Sequence, residues 1–305
     1  MPAAAPARAA TPSPLETSAE AALTIVLMGA VPIIIRHITA NPWTIGIARL
    51  TIATGGLLAV IRATRRWQRL PLSDWGALAV IGALFGAHWV LYFFSIKVAS
   101  ASMAVIGQST FGVHLVVLGW VIGHHHVRRV DLYAVGLAVG GSLLVAPRWS
   151  LADRDTLGLL LGIASAFFYS FLPILHQRLA HVSSAMRVLG QFLFGLVVFA
   201  AFLPQADWRL THAEWGWLGV LGVVCTLVQH TLWTRLTTRL STLTTSVLFY
   251  MAVPVTLVFS VLLLHERITG WMVAGAGLIV SGNLLSVLAG FRNPSRNAMA
   301  AVQST

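Results

Sequence analysis

Acidic residues are scarce in this sequence, 9 among 305, and none falls in the middle of an apolar run: Asp74, Asp131, Asp155, Glu214 and Glu266 all sit at run ends or between runs. The Asp or Glu relay by which a typical proton-coupled pump passes protons through a bilayer is therefore missing, and a histidine relay through His88 or His230 stays open. Cysteine is scarcer still. Cys225 stands alone inside an apolar stretch, which excludes a disulfide framework and a two-cysteine metal site. There is no Walker-type phosphate loop, so ATP is not the direct energy source. Charged residues of both signs make up only 10% of the chain, against about 25% in a soluble globule, and an ordinary soluble domain is excluded.

What fills the chain instead is hydrophobic, 57% of residues, with a mean hydropathy of +0.81. The apolar residues gather in runs of about 20, enough to cross roughly 30 Å of hydrocarbon at 1.5 Å per residue. They predict spans at Ala19–Ile38, Pro42–Ile61, Ser73–Ile96, Ala99–Ile122 and Val130–Ala146, then Thr156–Leu175, Ser183–Leu203, Ala213–Trp233, Leu240–Leu264 and Gly270–Ala289. The fold class expected is all-α integral membrane with ten transmembrane helices. Residues 1–18, rich in Ala, Pro, Ser and Thr, read as a disordered cytoplasmic tail without the features of a cleaved signal peptide, and 290–305 as a second cytoplasmic tail.

The net charge of +11 is carried by arginines at the ends of the runs, where membrane topology needs them, so nucleic acid is not an expected partner and the lipid bilayer is. With both termini inside, the inner ends hold Arg8, Arg62, Arg65, Arg66, Arg69, Arg128, Arg129, Arg178, Arg187, Arg235, Arg239, Arg292 and Arg296. The outer ends hold Arg36, Lys97, Arg148, Arg154, Arg209 and Arg267, about half as many. That asymmetry predicts cytoplasmic termini.

A shift of 141 positions lays Pro32 on Pro173, Leu91 on Leu232, Ser100 on Ser241, His124 on His265, Gly136 on Gly277, Gly141 on Gly282 and Leu144 on Leu285. Residues 19–146 and 155–289 thus read as two repeats of five spans. An odd number of spans starts the second repeat from the opposite side, making the repeat inverted. This architecture belongs to secondary transporters, whose substrate site lies near the midplane between the halves.

The same shift pairs His88 with Gln229, Trp89 with His230 and Tyr92 with Trp233. These polar and aromatic ladders, at matching depth in opposed halves, are candidates to line one cavity that stacks a ring and hydrogen-bonds a polar group; satisfied histidines in an aromatic core are the alternative. Gln108, Phe111, Tyr169 and Tyr250 are candidates to complete its wall. Pro32, Pro173 and Pro254 free the carbonyls of Met28, Tyr169 and Tyr250, which either border the substrate path or mark packing kinks. Arg49, about seven residues into its span, is read as structural, pairing with backbone carbonyls and snorkelling outward, rather than as a grip on an anionic group. His124-His125-His126 reads as a polar turn, not a metal site. The glycine pairs Gly82 and Gly86, Gly136 and Gly140, and Gly158 and Gly162 read as close helix contacts.

Ser241, Pro254 in mid-span, the turn His265-Glu266-Arg267, Gly277 and Gly282, with Pro42 and Arg49 upstream in PWTIGIAR, resemble the drug/metabolite transporter superfamily, EamA-like branch. The first repeat departs from that pattern, with His125 where the second has Glu266 and Val113 where it has Pro254. The resemblance implies a ten-helix exporter of small organic metabolites in the inner membrane, amino acids foremost. The aromatic ladders point to an aromatic or otherwise apolar amino acid. It implies no catalysis, cofactor or metal, and it leaves the oligomeric state open, a monomer being compatible. Two other classes stay in view: an intramembrane metalloenzyme using His88, His114, His176 and His230, and a structural membrane protein without a polar cavity.

Overall fold

The computed structural model describes residues 13–123, 128–146, 150–240 and 242–291. The run His124-His125-His126, Arg148, Ser241 and the outer parts of both tails lie outside them. The described residues are helical, with no strand among them: α1 Pro14–His37, α2 Pro42–Ala63, α3 Leu72–Val98, α4 Ala101–Gln108, α5 Phe111–Gly123, α6 Arg129–Val145, α7 Arg154–Arg178, α8 Ser184–Ala200, α9 His212–Gly222, α10 Gln229–Arg239, α11 Thr242–Leu264 and α12 Gly270–Phe291.

Local chemistry sets where these helices start. Ser13 Oγ accepts from the Glu16 amide at 3.2 Å while the Glu16 carboxylate accepts from the Ser13 amide at 2.7 Å, a capping box. Helix α1 therefore begins at Pro14, and residues 13–18 are not the disordered tail expected from their composition. Asn41 caps α2, Ser100 caps α4 and Asp153 caps α7 through side-chain oxygens that take amide protons of the first turn.

Among the described residues, eight stretches are long and apolar enough to cross a bilayer: Leu15–His37, Pro42–Ala63, Leu72–Val98, Ala101–Ile122, Arg154–Arg178, His212–Trp233, Val247–Leu264 and Gly270–Ala289. Two of the ten expected spans fall short. Helices α6 and α8 have 17 residues each, about 26 Å at 1.5 Å per residue, and α6 opens on Arg129 and Asp131.

Two of the long stretches are irregular. Between α4 and α5 the chain makes a turn at Ser109–Thr110, both hydroxyls donating to carbonyls three residues back. The Ser109 carbonyl is taken by Asn283 Nδ2 of α12 at 2.8 Å, as a broken helix at membrane depth requires. Between α9 and α10, Val223–Val228 winds as a π-helix, and Thr226 Oγ1 donates to the Leu221 carbonyl five residues back at 2.7 Å.

The strongest packing runs between the halves of the chain. Helix α3 lies on α7 and α8, α1 on α11 and α10, α2 on α8 and α9, α4 on α7, and α6 on α12. Two apolar cores result. One joins α1–α3 with α7–α9 around Ile45, Leu50, Phe85, Phe93 and Phe192; the other joins α4–α6 with α7, α11 and α12 around Ile106, Ala138, Leu159 and Ile279. Gly82 and Gly86 face Phe194 and Val198 of α8, and Gly162 faces Ala104 and Gly107, as their spacing predicts. Gly136 and Gly140 face nothing within 4 Å. The close contact of α6 with α12 is made instead by Gly141, whose added Cβ would lie 2.5 Å from the Gly275 carbonyl, because that residue and not its neighbours points along the crossing.

Candidate functional site

A cavity of about 120 Å³ opens where the two cores meet, well above the roughly 10–15 Å³ one water needs on that measure. Eight of the ten candidate residues line it: His88, Trp89 and Tyr92 from α3, Gln108 from α4, Tyr169 from α7, and Gln229, His230 and Trp233 from α10. The 3.6-residue period puts His88 and Tyr92 on one face of α3, and Gln229 and Trp233 on one face of α10. Their helices bring repeat-related pairs to a single space.

The wall is a chain of rings. His88 stands 4.7 Å from Tyr169 and 6.1 Å from Tyr92; Tyr169 lies 5.9 Å from Phe249, and Phe249 lies 6.1 Å from Trp233. On the other side Trp89 is 4.5 Å from Phe85 and 6.2 Å from His230. Such surfaces accept a planar or apolar body, and the polar edges among them orient it.

The polar groups are held by specific partners. His88 Nδ1 is 2.7 Å from Ser165 Oγ, which is also 2.9 Å from the His88 carbonyl and 3.0 Å from Gln108 Oε1. Ser165 thereby fixes both a histidine of α3 and the last residue of α4. It is one helical turn before Tyr169, on the same face of α7, and that spacing is the sequence signal for it.

Phe111 and Tyr250 do not line the cavity. Phe111 packs 5.1 Å from both Tyr169 and Phe249, a second layer behind the wall. The Tyr250 hydroxyl lies against Gly112, next to the α4–α5 turn. Helical phase explains the exchange: Phe249 and Tyr250 point about 100° apart, and it is Phe249 that reaches the cavity. Of the residues four before the mid-span prolines, Met28 and Tyr169 line the cavity.

Arg49 lines it too. It is 2% exposed and does not snorkel outward. Its Nε donates to Thr226 Oγ1 at 2.5 Å and Nη2 to the Cys225 carbonyl at 3.0 Å, so it bonds the π segment. Its guanidinium lies over the Trp89 ring, 4.1 Å from the centroid.

Of the four histidines weighed as a metal set, His88 and His230 line the cavity and the other two do not. His114 is 3.2 Å from Thr110, and His176 is 2.8 Å from Gln191. Among the described residues no group of three His, Cys, Asp or Glu side chains could hold a metal ion.

A two-part helical membrane protein with a cavity between its parts is the class this arrangement defines, a transporter of small molecules. Residues 20–146 and 156–288 each match the EamA-like transporter family, and the chain belongs to that family. No curated protein matches the chain. A solved crystal structure of another protein, 18% identical, is similar over 91% of this chain and 97% of that one at a TM-score of 0.65, a likeness of fold.

Proposed function

We propose that the protein moves small organic metabolites, amino acids with aromatic or other apolar side chains foremost, outward across the inner membrane by alternating access of two inverted five-helix halves. One observation carries this reading: repeat-related residues His88 and Gln229, Trp89 and His230, and Tyr92 and Trp233 line one cavity at the junction of the halves, where secondary transporters hold their substrates. In this reading all ten helical stretches cross, and both termini face the cytoplasm. The reciprocal packing of α1 with α11 and α4 with α7, and of α2 with α9 and α3 with α8, supports an exchange-symmetric pair of halves.

The test is flux of labelled metabolites through proteoliposomes, with and without a pH gradient. Uptake of aromatic or apolar amino acids above empty liposomes is the expected result. A protein that moves none of a broad panel of amino acids, organic acids and amines is not a transporter of this kind.

A further inference from the structure

We infer that Arg49 is the residue that reads the charge of the cargo, holding a carboxylate, so that the cavity prefers organic anions to organic cations of the same shape. This rests on the cavity being the substrate site. A guanidinium keeps its charge in a protein and presents five N–H donors in a planar fork. Thr226 Oγ1 takes the Nε proton and the Cys225 carbonyl takes one from Nη2. Trp89 covers one face. Nη1 has no protein acceptor among the described residues, and Arg49 lines the cavity while 2% exposed.

The countercharge is what the protein leaves out. Among the described residues Asp and Glu are absent from the cavity lining, and the arginines paired with carboxylates are others, Arg128 with Asp131 and Arg235 with Glu20. A buried charge without a partner is costly, and a solute carboxylate supplies that partner in the geometry a guanidinium edge favours. The rest of the lining holds no acidic side chain. Gln108, Gln229 and the Tyr92 and Tyr169 hydroxyls offer an ammonium group dipoles and the rings offer it π faces, but the Arg49 guanidinium already covers Trp89 and repels a lone ammonium.

Three probes share a phenyl ring and a two-carbon spacer: 3-phenylpropionate is an anion, phenylalanine a zwitterion and 2-phenylethylamine a cation. Calorimetric binding to the full-length protein in nanodiscs is expected to favour 3-phenylpropionate over 2-phenylethylamine by at least tenfold, with phenylalanine between them. Arg49→Gln should abolish the difference, and Arg49→Lys should keep its sign. Because Arg49 also bonds the π segment, the wild-type series decides even where those variants fail to fold. Equal or tighter binding of the amine overturns the inference and leaves transport standing, and so does failure of all three to bind while other labelled solutes move. Absence of any flux overturns the transport reading, while the binding order still decides the role of Arg49.

Discussion

The Glu266 carboxylate, in the loop between α11 and α12, accepts a 2.6 Å hydrogen bond from the hydroxyl of Ser102 in the first turn of α4. The same carboxylate takes the amides of Ala101 at 2.9 Å and Ser102 at 3.1 Å, so a residue of the second half caps a helix of the first and complements its dipole. Glu214 ties the halves at the same end of the bundle, accepting from the amide and hydroxyl of Thr39 in the loop between α1 and α2, the amide at 2.8 Å. At the other end the corresponding join is Asp74 with His181, 2.9 Å apart, beside Gln68 and the Ser183 amide.

Glu266→Ala is expected to destabilise the protein by about 1–3 kcal/mol, the range for losing charge-assisted bonds and a helix cap. Glu266→Gln keeps an acceptor oxygen and should lose less. Thermal unfolding of the purified variants in one detergent checks this. Identical unfolding of Glu266→Ala and wild type would show that the cap does not hold α4.

Glycine positions give a contrast within one residue type. A Cβ on Gly107 would lie 2.7 Å from the Leu159 carbonyl and 2.9 Å from the Gly162 backbone, atoms that cannot yield without moving α7. Gly107→Ala should therefore cost at least the roughly 1–3 kcal/mol of an overpacked core. Gly277 has nothing within 4 Å, and Gly277→Ala should be neutral or stabilise by up to about 1 kcal/mol through helix propensity. Unfolding temperatures that rank the two in the opposite order would contradict the α4–α7 crossing.

The lining of the cavity was largely legible because it rests on two simple regularities, a repeat and a helical period. The 141-residue shift named His88, Trp89, Tyr92, Gln229, His230 and Trp233 without any contact information, and all six line the cavity. Phase was the weak point. Where the chain departs from a regular α-helix, at the Ser109–Thr110 turn and the Val223–Val228 π segment, counting by 3.6 loses register, and Asn283 and Thr226 are set by partners far along the chain. Arg49 shows the same limit. Its span was evident, but its partners Thr226 and Cys225 lie 177 and 176 positions away, so nothing local could decide between snorkelling and facing the cavity.

The arginine asymmetry makes a topology experiment decisive. Reporter fusions after Arg69, Arg129 and Arg239 are expected to signal cytoplasm, and fusions near Arg154 and Arg267 periplasm. The α6 and α8 segments are the ones at stake, being the two expected spans that fall short of a crossing length. A cytoplasmic signal near Arg267 would remove the ten-crossing arrangement.

Energy coupling follows from the absence of mid-span carboxylates. Transport is expected to run down a substrate gradient alone, as facilitated diffusion or exchange, measured as flux with the pH gradient collapsed. His88, tied to Ser165, and His230, among Phe85, Trp89 and Phe192, are the remaining groups in the cavity able to take a proton. Strict proton dependence that survives replacement of both would contradict this account.

The aromatic wall can be separated from the aromatic core by two substitutions. Trp233 sits 6.1 Å from Phe249 and Tyr92 sits 6.1 Å from His88, and both are half-buried at the cavity, whereas Phe93 and Phe199 are fully buried away from it. Truncating a core ring costs about 3–5 kcal/mol because the hole it leaves does not collapse. A ring that borders an existing cavity has fewer contacts to lose, so Tyr92→Ala and Trp233→Ala should destabilise less than Phe93→Ala. Their transport should nevertheless fall severalfold, since the surface that stacks the solute is gone. Flux divided by the amount of folded protein is the measurement that distinguishes these outcomes. Near-normal flux per folded molecule in both variants, or unfolding as severe as that of Phe93→Ala, would return these rings to the core and leave the cavity without its wall.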